Sequence, residues 1–347
     1  MNAGFYARIE NFVENYYKKN QNSGFLRLTV KDEIIYEKAL GYANIEKGLA
    51  VTEKSLFTLY SLSKPFCAIG LLKLKDEQLI DIDKHPGTYL PEAKGLHKDI
   101  TIRHLLNHTS GLPDFDQHTD FRQKYHGETS EQLKEQLTLI AEKEMLFAPG
   151  TNGIYTNINF IICALIIENV TGMAYADYMK TNVFETLGMF HTQVDNKHLS
   201  IADRVQGYCK KDGNIVPIHR VDEWVLGCAD IISNVNDIYC LNKAIKHQLI
   251  LKPETWKEVL TPSPLNSMGF GCTVSEWHGK TRITHGGGWE GFRTLHIQVP
   301  EDDFDIIFLS NSAWGNARDH FAEELYEAYF CDDTDKGDVV KMDVGYI

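Results

Sequence analysis

Ser61 lies three residues ahead of Lys64 in Leu59-Tyr60-Ser61-Leu62-Ser63-Lys64-Pro65-Phe66, and nowhere else in the 347 residues does a Lys follow a Ser at that spacing. On a helix, positions i and i+3 share a face, so the ammonium would stand beside the hydroxyl. A serine hydroxyl is a weak nucleophile until a base takes its proton. A lysine whose pKa is lowered by burial or by a neighbouring cation can be that base. The pair therefore offers a nucleophile and a base from one turn. A chain of this length carries roughly one such match by chance, so the spacing gains meaning only from what accompanies it.

Two other runs could complete the chemistry. Tyr155-Thr156-Asn157 follows Phe147-Ala148-Pro149-Gly150-Thr151 and precedes an apolar helix, on a loop that the scaffold positions. A Tyr beside a cationic Lys loses its proton more readily, and an Asn can bind a substrate amide. A second Tyr-x-Asn, Tyr42-Ala43-Asn44, reads as a packed Tyr and a turn Asn. His285-Gly286-Gly287-Gly288-Trp289-Glu290-Gly291 directly follows a strand-like run. Glycines there let a substrate approach the backbone, and the exposed N–H groups can stabilise an oxyanion. His104 and His108, at i,i+4, are a candidate metal pair, but no Glu of a metalloprotease helix lies between them and no acidic or Cys ligand is close in sequence. A structural role is the expected one, with no metal and no cofactor. Gly-x-Ser-x-Gly and P-loop motifs do not occur.

These residues need elements to hold them. Phe5, Ile9, Phe12, Val13 and Tyr16 recur at helical spacing over 5–19. Phe25–Val30 and Glu33–Tyr36 flank Lys31-Asp32, a hairpin signal. The Ser61 helix should run to about Lys75. Residues 76–280 read as mainly helical segments broken by Gly and Pro loops. Strand-like runs return at Thr281–Thr284, Phe292–Val299 and Phe304–Leu309, and a last helix is expected from about Ala317 to Tyr329. The expected fold class is α+β, an α/β sandwich. One antiparallel sheet is built from both chain ends, about 1–75 and 281–347, with flanking helices and an inserted, mainly helical subdomain at about 76–280. No repeat or linker divides it, so a single domain over 1–347 is expected.

The apolar share is 43%, the charged share 24% and the formal net charge −13. A general nucleic-acid binder needs a basic face, and anionic membranes attract basic segments, so neither partner is expected. The longest apolar run, Phe160–Ile167, ends at Glu168 and suits a buried helix rather than a membrane span. Met1–Arg8 shows no basic segment followed by an apolar run. The seven scattered cysteines do not read as a disulfide framework. A cytoplasmic protein is the expectation, with oligomeric state left open.

Taken in order, the three elements resemble the serine β-lactamase and penicillin-binding-protein superfamily, in the branch of class C β-lactamases, D-stereospecific peptidases and esterases. Further likeness lies in Thr101–Pro113, Phe147–Thr151, Val170-Thr171-Gly172, Leu187-Gly188-Met189 and Gly227–Ser233, where Cys228 and Asp230 are less usual, and covers about residues 20–312. The resemblance implies that Ser61 is acylated, that Lys64 partners it and that Tyr155 relays protons. It implies that Asn157 binds a substrate amide and that His285, Gly286 and Gly287 fill the third motif. The N–H of Gly288 would pair with that of Ser61 as an oxyanion hole. It recasts His104 and His108 as structural.

β-Lactamases carry Lys-Thr-Gly where this chain has His-Gly-Gly. His285 is mostly neutral near pH 7 and Gly286 has no hydroxyl, which shifts the expectation away from β-lactam hydrolysis. The expected enzyme is a serine hydrolase that forms an acyl-enzyme on a small ester, an amide or a D-amino-acid-containing peptide. The alternatives are a β-lactamase or D-Ala-D-Ala carboxypeptidase, and a non-catalytic binding or sensor module.

Overall fold

A computed structural model describes residues 3–114, 129–195, 201–218, 226–289, 291–314 and 317–330. Glu290 and the side chain of Phe5 fall outside them. The chain forms two compact units. In the smaller one, helix α1 (Ala3–Asn20) meets helix α5 (Ala317–Phe330). Phe321 stacks on Phe12 at 5.3 Å and lies 4.3 Å from Tyr16, so the helical spacing of Phe12 and Tyr16 serves a shared aromatic face.

The larger unit is built on a six-stranded antiparallel sheet. Its strands are β1 (Gly24–Val30), β2 (Glu33–Leu40), β3 (Thr273–Trp277), β4 (Lys280–Trp289), β5 (Phe292–Val299) and β6 (Phe304–Ser310), in the order β3-β4-β5-β6-β1-β2. The strands from the two chain ends join at β1 and β6, where Leu28 pairs with Ile306. This is the expected α+β arrangement. Lys31 and Asp32 both take positive φ, +51° and +61°, which matches the right-handed twist of the strands they join. β1 is buried along almost its whole length, whereas β2, at the sheet edge, alternates between exposed and covered positions.

The sheet reaches further back in sequence than expected. β3 lies wholly within the stretch read as part of the helical insertion. It joins β4 through His278-Gly279, both at positive φ, so a tight turn makes a strand of a run whose apolar alternation is short. Two strands of the insertion, Gln193–Val194 and Ile231–Ser233, also form a three-stranded sheet with Phe57–Thr58, which precedes it. Pieces of two or three residues are too short to show a period of two.

Two buried helices carry the middle of the chain. Helix α2 (Lys64–Asp76) starts with Pro65 in its first turn, where a missing N–H costs nothing. It packs against α4 (Ile158–Thr171), in which every residue from Ile158 to Ile167 is buried. The apolar run is thus a core helix. Among the described residues no single helix is long and apolar enough to cross a membrane.

Candidate active site

Ser61 stands just outside α2, in a 3₁₀ turn, Tyr60–Ser63, that feeds it. In a 3₁₀ turn i and i+3 eclipse, which brings the two side chains closer than an α-helix would. Lys64 Nζ donates to Ser61 Oγ at 3.1 Å, to Asn157 Oδ1 at 2.9 Å and to the Cys228 carbonyl at 3.0 Å. Lys64 is fully buried, and these acceptors use all three of its N–H donors. In this resting arrangement the lysine gives a proton to the serine bond and does not take one.

The turn is held in a strained form. Tyr60, directly before Ser61, has φ +49°. Such a residue persists only when its surroundings over-determine it. Leu59 N donates to the Ile231 carbonyl at 2.8 Å, and the Leu59 carbonyl accepts from Thr294 Oγ1 on β5 at 2.8 Å. Gly287, paired with Thr294 across β4 and β5, lies so close that a Cβ there would stand 1.8 Å from the Leu59 carbonyl oxygen. Thus only a glycine at 287 lets the turn sit against the strand.

Tyr155 places its ring 4.7 Å from Lys64 Nζ. Its outer edge is 42% exposed, while its hydroxyl is enclosed by protein beside Lys64 and Ser61. Burial pushes the phenol pKa above its ordinary value, and the nearby Lys64 charge only partly offsets this. Burial pulls the Lys64 ammonium the other way, but the acidic groups around it, Tyr155, Cys228 and Asp114, outweigh that and leave its pKa raised. Around neutral pH the pair is therefore ammonium and phenol.

Asp114, which no sequence motif marked, and His108, read there as structural, hold Asn157 and Tyr155 in place. Asp114 is buried, and its Oδ2 accepts from Asn157 N at 2.8 Å and from Asn157 Nδ2 at 3.1 Å, while Oδ1 accepts from Ile158 N at 3.3 Å. The carboxylate caps α4 and engages the amide so that Oδ1 of Asn157 faces Lys64. His108 lies flat under Tyr155, with ring centroids 4.3 Å apart. Its Nδ1 accepts from Thr156 N at 3.3 Å, so the ring proton is assigned to Nε2. Burial first, and then the Lys64 charge, holds its pKa far below the usual imidazole range, so it is neutral.

His104 and His108 do not share a helix face. Helix α3 (Ile102–Leu106) stops before His108, which takes φ +58°, and His104 Nδ1 accepts from Thr101 N in a capping box. The Tyr42 copy of Tyr-x-Asn is structural as expected, with Asn44 Oδ1 accepting from Lys47 N in a turn.

In the third motif strand alternation divides the residues. His285 and Gly287 face the Leu59–Ser61 turn, and the His285 ring lies 6.3 Å from that of Tyr155. Gly286 and Gly288 point to the other side, where Gly288 meets Arg293. A side-chain role for positions 286 and 288 is thereby removed, and only their backbone groups stay available. Ser61, Lys64, Tyr155, Asn157, His285 and Gly287 converge, although 93 residues separate Lys64 from Asn157 and 164 separate it from Cys228.

A family model described as Beta-lactamase matches residues 9–328. Among curated proteins, Penicillin-binding protein 4* of Bacillus subtilis is 28% identical over 326 residues, which cover 87% of this chain and 71% of that protein. A D-aminopeptidase of Gluconobacter oxydans is 23% identical over 323 residues, 90% of this chain; the chain spans only 60% of that relative's length. Among solved structures, the octameric penicillin-binding protein homologue from Pyrococcus abyssi superposes with a TM-score of 0.82 at 21% identity, covering 93% of this chain and 77% of its own. At that identity the likeness is one of fold.

Proposed function

The chain belongs to the Beta-lactamase family, a family of serine hydrolases on one fold, and on that premise we propose that it hydrolyses a small ester, an amide or a D-amino-acid-containing peptide through an acyl-enzyme on Ser61. The observation that carries this reading is the Lys64 ammonium, buried in contact with Ser61 Oγ and with the acceptors Asn157 Oδ1 and Cys228 O. Ser61 Oγ attacks the substrate carbonyl carbon, and its proton passes to the Tyr155–Lys64 pair. The tetrahedral oxyanion lies toward the N–H groups of Ser61 and Gly288. As the carbonyl reforms, the bond to the leaving group breaks, and the pair returns the proton to that group. Water then adds to the Ser61 ester by the same route, releasing the acid and restoring the hydroxyl.

The test is covalent capture. A fluorophosphonate should add one equivalent by intact mass, and peptide mapping should place it on Ser61. Absence of the adduct, or its position elsewhere, counts against the reading.

The likeness to Penicillin-binding protein 4* favours a second reading, in which the acyl donor is a β-lactam or a D-alanyl peptide. The third motif weighs against it, because His285, which faces the site, stands where β-lactamases carry a lysine. Rates on nitrocefin, a D-aminoacyl anilide and a short-chain p-nitrophenyl ester separate the two readings.

The charge states give a pH signature. The pKa values of Lys64 and Tyr155 are both raised, so the base form is the minor one at pH 7 and grows as protons leave. With saturating base far above neutrality, kcat/KM should climb roughly tenfold per pH unit from about pH 6 and level off only in alkaline solution. A profile that is flat or falling between these limits contradicts the assignment.

A further inference from the structure

Of the three acceptors of Lys64, Cys228 is the one that no side chain supplies, so its carbonyl must be aimed by the turn that carries it. That turn is closely built. Gly227 takes φ +75°, and a Cβ there would meet the Phe160 carbonyl oxygen and Ala164 Cβ at 2.7 Å. Asp230 closes the turn, its Oδ2 accepting from Gly227 N at 2.8 Å around Cys228 and Ala229. The next residue is fastened to the nucleophile turn, since Ile231 N donates to Ser63 Oγ at 3.0 Å.

Asp230 is costly where it stands. It is 4% exposed, and its Oδ1 is buried with no hydrogen-bond donor among the described residues. A carboxylate in that position needs compensation. Burial pushes its pKa up to about 7, while the Gly227 N–H and the Lys64 ammonium pull it down. The titratable groups around it are Lys64 and Cys67 on α2, Tyr175 at the start of the helix Tyr175–Met179, Asp195 after the strand Gln193–Val194, and Cys228 in its own turn. Among them Lys64 is the cation. Asp114 and Asp230 thus play matching parts on two sides of the ammonium, one orienting Asn157 and the other orienting Cys228.

We propose that Asp230 is a positioning residue for Lys64: its carboxylate fixes the Gly227–Asp230 turn so that the Cys228 carbonyl meets the ammonium, and it lends negative charge to that side of the lysine. The catalytic consequence rests on the acyl-enzyme reading above, but the effect on Lys64 does not.

The experiment uses the full chain with 13Cε-labelled lysine, the Lys64 resonance being assigned by its loss in Lys64→Arg. Asp230→Asn keeps an oxygen for Gly227 N and removes the charge. Its Lys64 titration midpoint should move to lower pH, with fluorophosphonate labelling of Ser61 within about threefold of wild type. Asp230→Ala loses both the oxygen and the charge, and should label at least about tenfold more slowly, since a displaced catalytic group forfeits alignment. An unmoved Lys64 midpoint in Asp230→Asn overturns the proposal, as does wild-type labelling by folded Asp230→Ala. If Asp230→Ala does not fold, the Asp230→Asn titration decides alone. A wild-type chain that never labels at Ser61 refutes the acyl-enzyme reading, and the Lys64 titration still decides this one.

Discussion

Ser61→Ala and Lys64→Met are each expected to lower turnover of an activated ester by about 10⁴-fold or more, with the double variant no slower than either single one. The reason is that in the proposed mechanism the two act as one device. Ser61 without Lys64 and Tyr155 has no route for its proton, and Lys64 without Ser61 has nothing to activate. Lys64→Met is the more informative change. The methionine keeps the volume and removes a buried ammonium, relieving a desolvation cost of several kcal/mol. It also strands Asn157 Oδ1 and the Cys228 carbonyl, each of which costs about 1–3 kcal/mol when buried without a donor. The two effects offset, so the melting temperature should shift by less than about 5 °C while activity is lost. Calorimetry alongside kcat/KM checks both halves. A Lys64→Met protein that keeps a tenth of wild-type turnover removes Lys64 from the chemistry.

How much of this was legible in the sequence follows from what kind of contact holds each residue. Ser61 and Lys64 are three residues apart, and a local turn makes them neighbours, so their spacing carried the information. Lys31-Asp32 was legible for the same reason, as a two-residue turn between apolar runs. Asp114 was not, since its partner Asn157 lies 43 residues on and nothing in Gly111-Leu112-Pro113-Asp114 says which helix it will cap. The Cys228 carbonyl is a backbone group and leaves no mark in residue type at all. Thr294 reads as an ordinary strand residue until β5 brings its hydroxyl to Leu59, 235 positions away. His104 and His108 do not form an i,i+4 pair on one face because that spacing presumes a helix, and α3 ends at Leu106. Local spacing therefore marked the Ser61–Lys64 pair and most of the elements. What supports that pair comes from tertiary contacts that a pattern of period two or 3.6 cannot encode.

Gly287→Ala is expected to be the most damaging single-methyl change in the molecule outside the reacting side chains. The added Cβ would stand 1.8 Å from the Leu59 carbonyl oxygen, 2.6 Å from Thr294 Oγ1 and 2.9 Å from the Leu59 carbonyl carbon. Two of these are backbone atoms, which no rotamer change can move. The Leu59–Ser61 turn must back away from β4 by more than about 1 Å, or β4 must leave its register with β5. Overpacking of this kind costs about 1–3 kcal/mol or more. The first response also breaks the Thr294 hydrogen bond that holds Leu59, and displaces Ser61 from Lys64. A displacement of that size is enough to lower kcat/KM about 100-fold. Gly288→Ala gives the contrast. The three atoms nearest its Cβ would all belong to the Arg293 side chain, the first at 3.0 Å from Cδ, and the backbone N–H is kept, so a smaller loss is expected. Ester turnover and thermal melts of the two variants measure the difference. Equal effects, or a Gly287→Ala protein with unchanged melting and labelling rate, show that the turn does not depend on its seat against the strand.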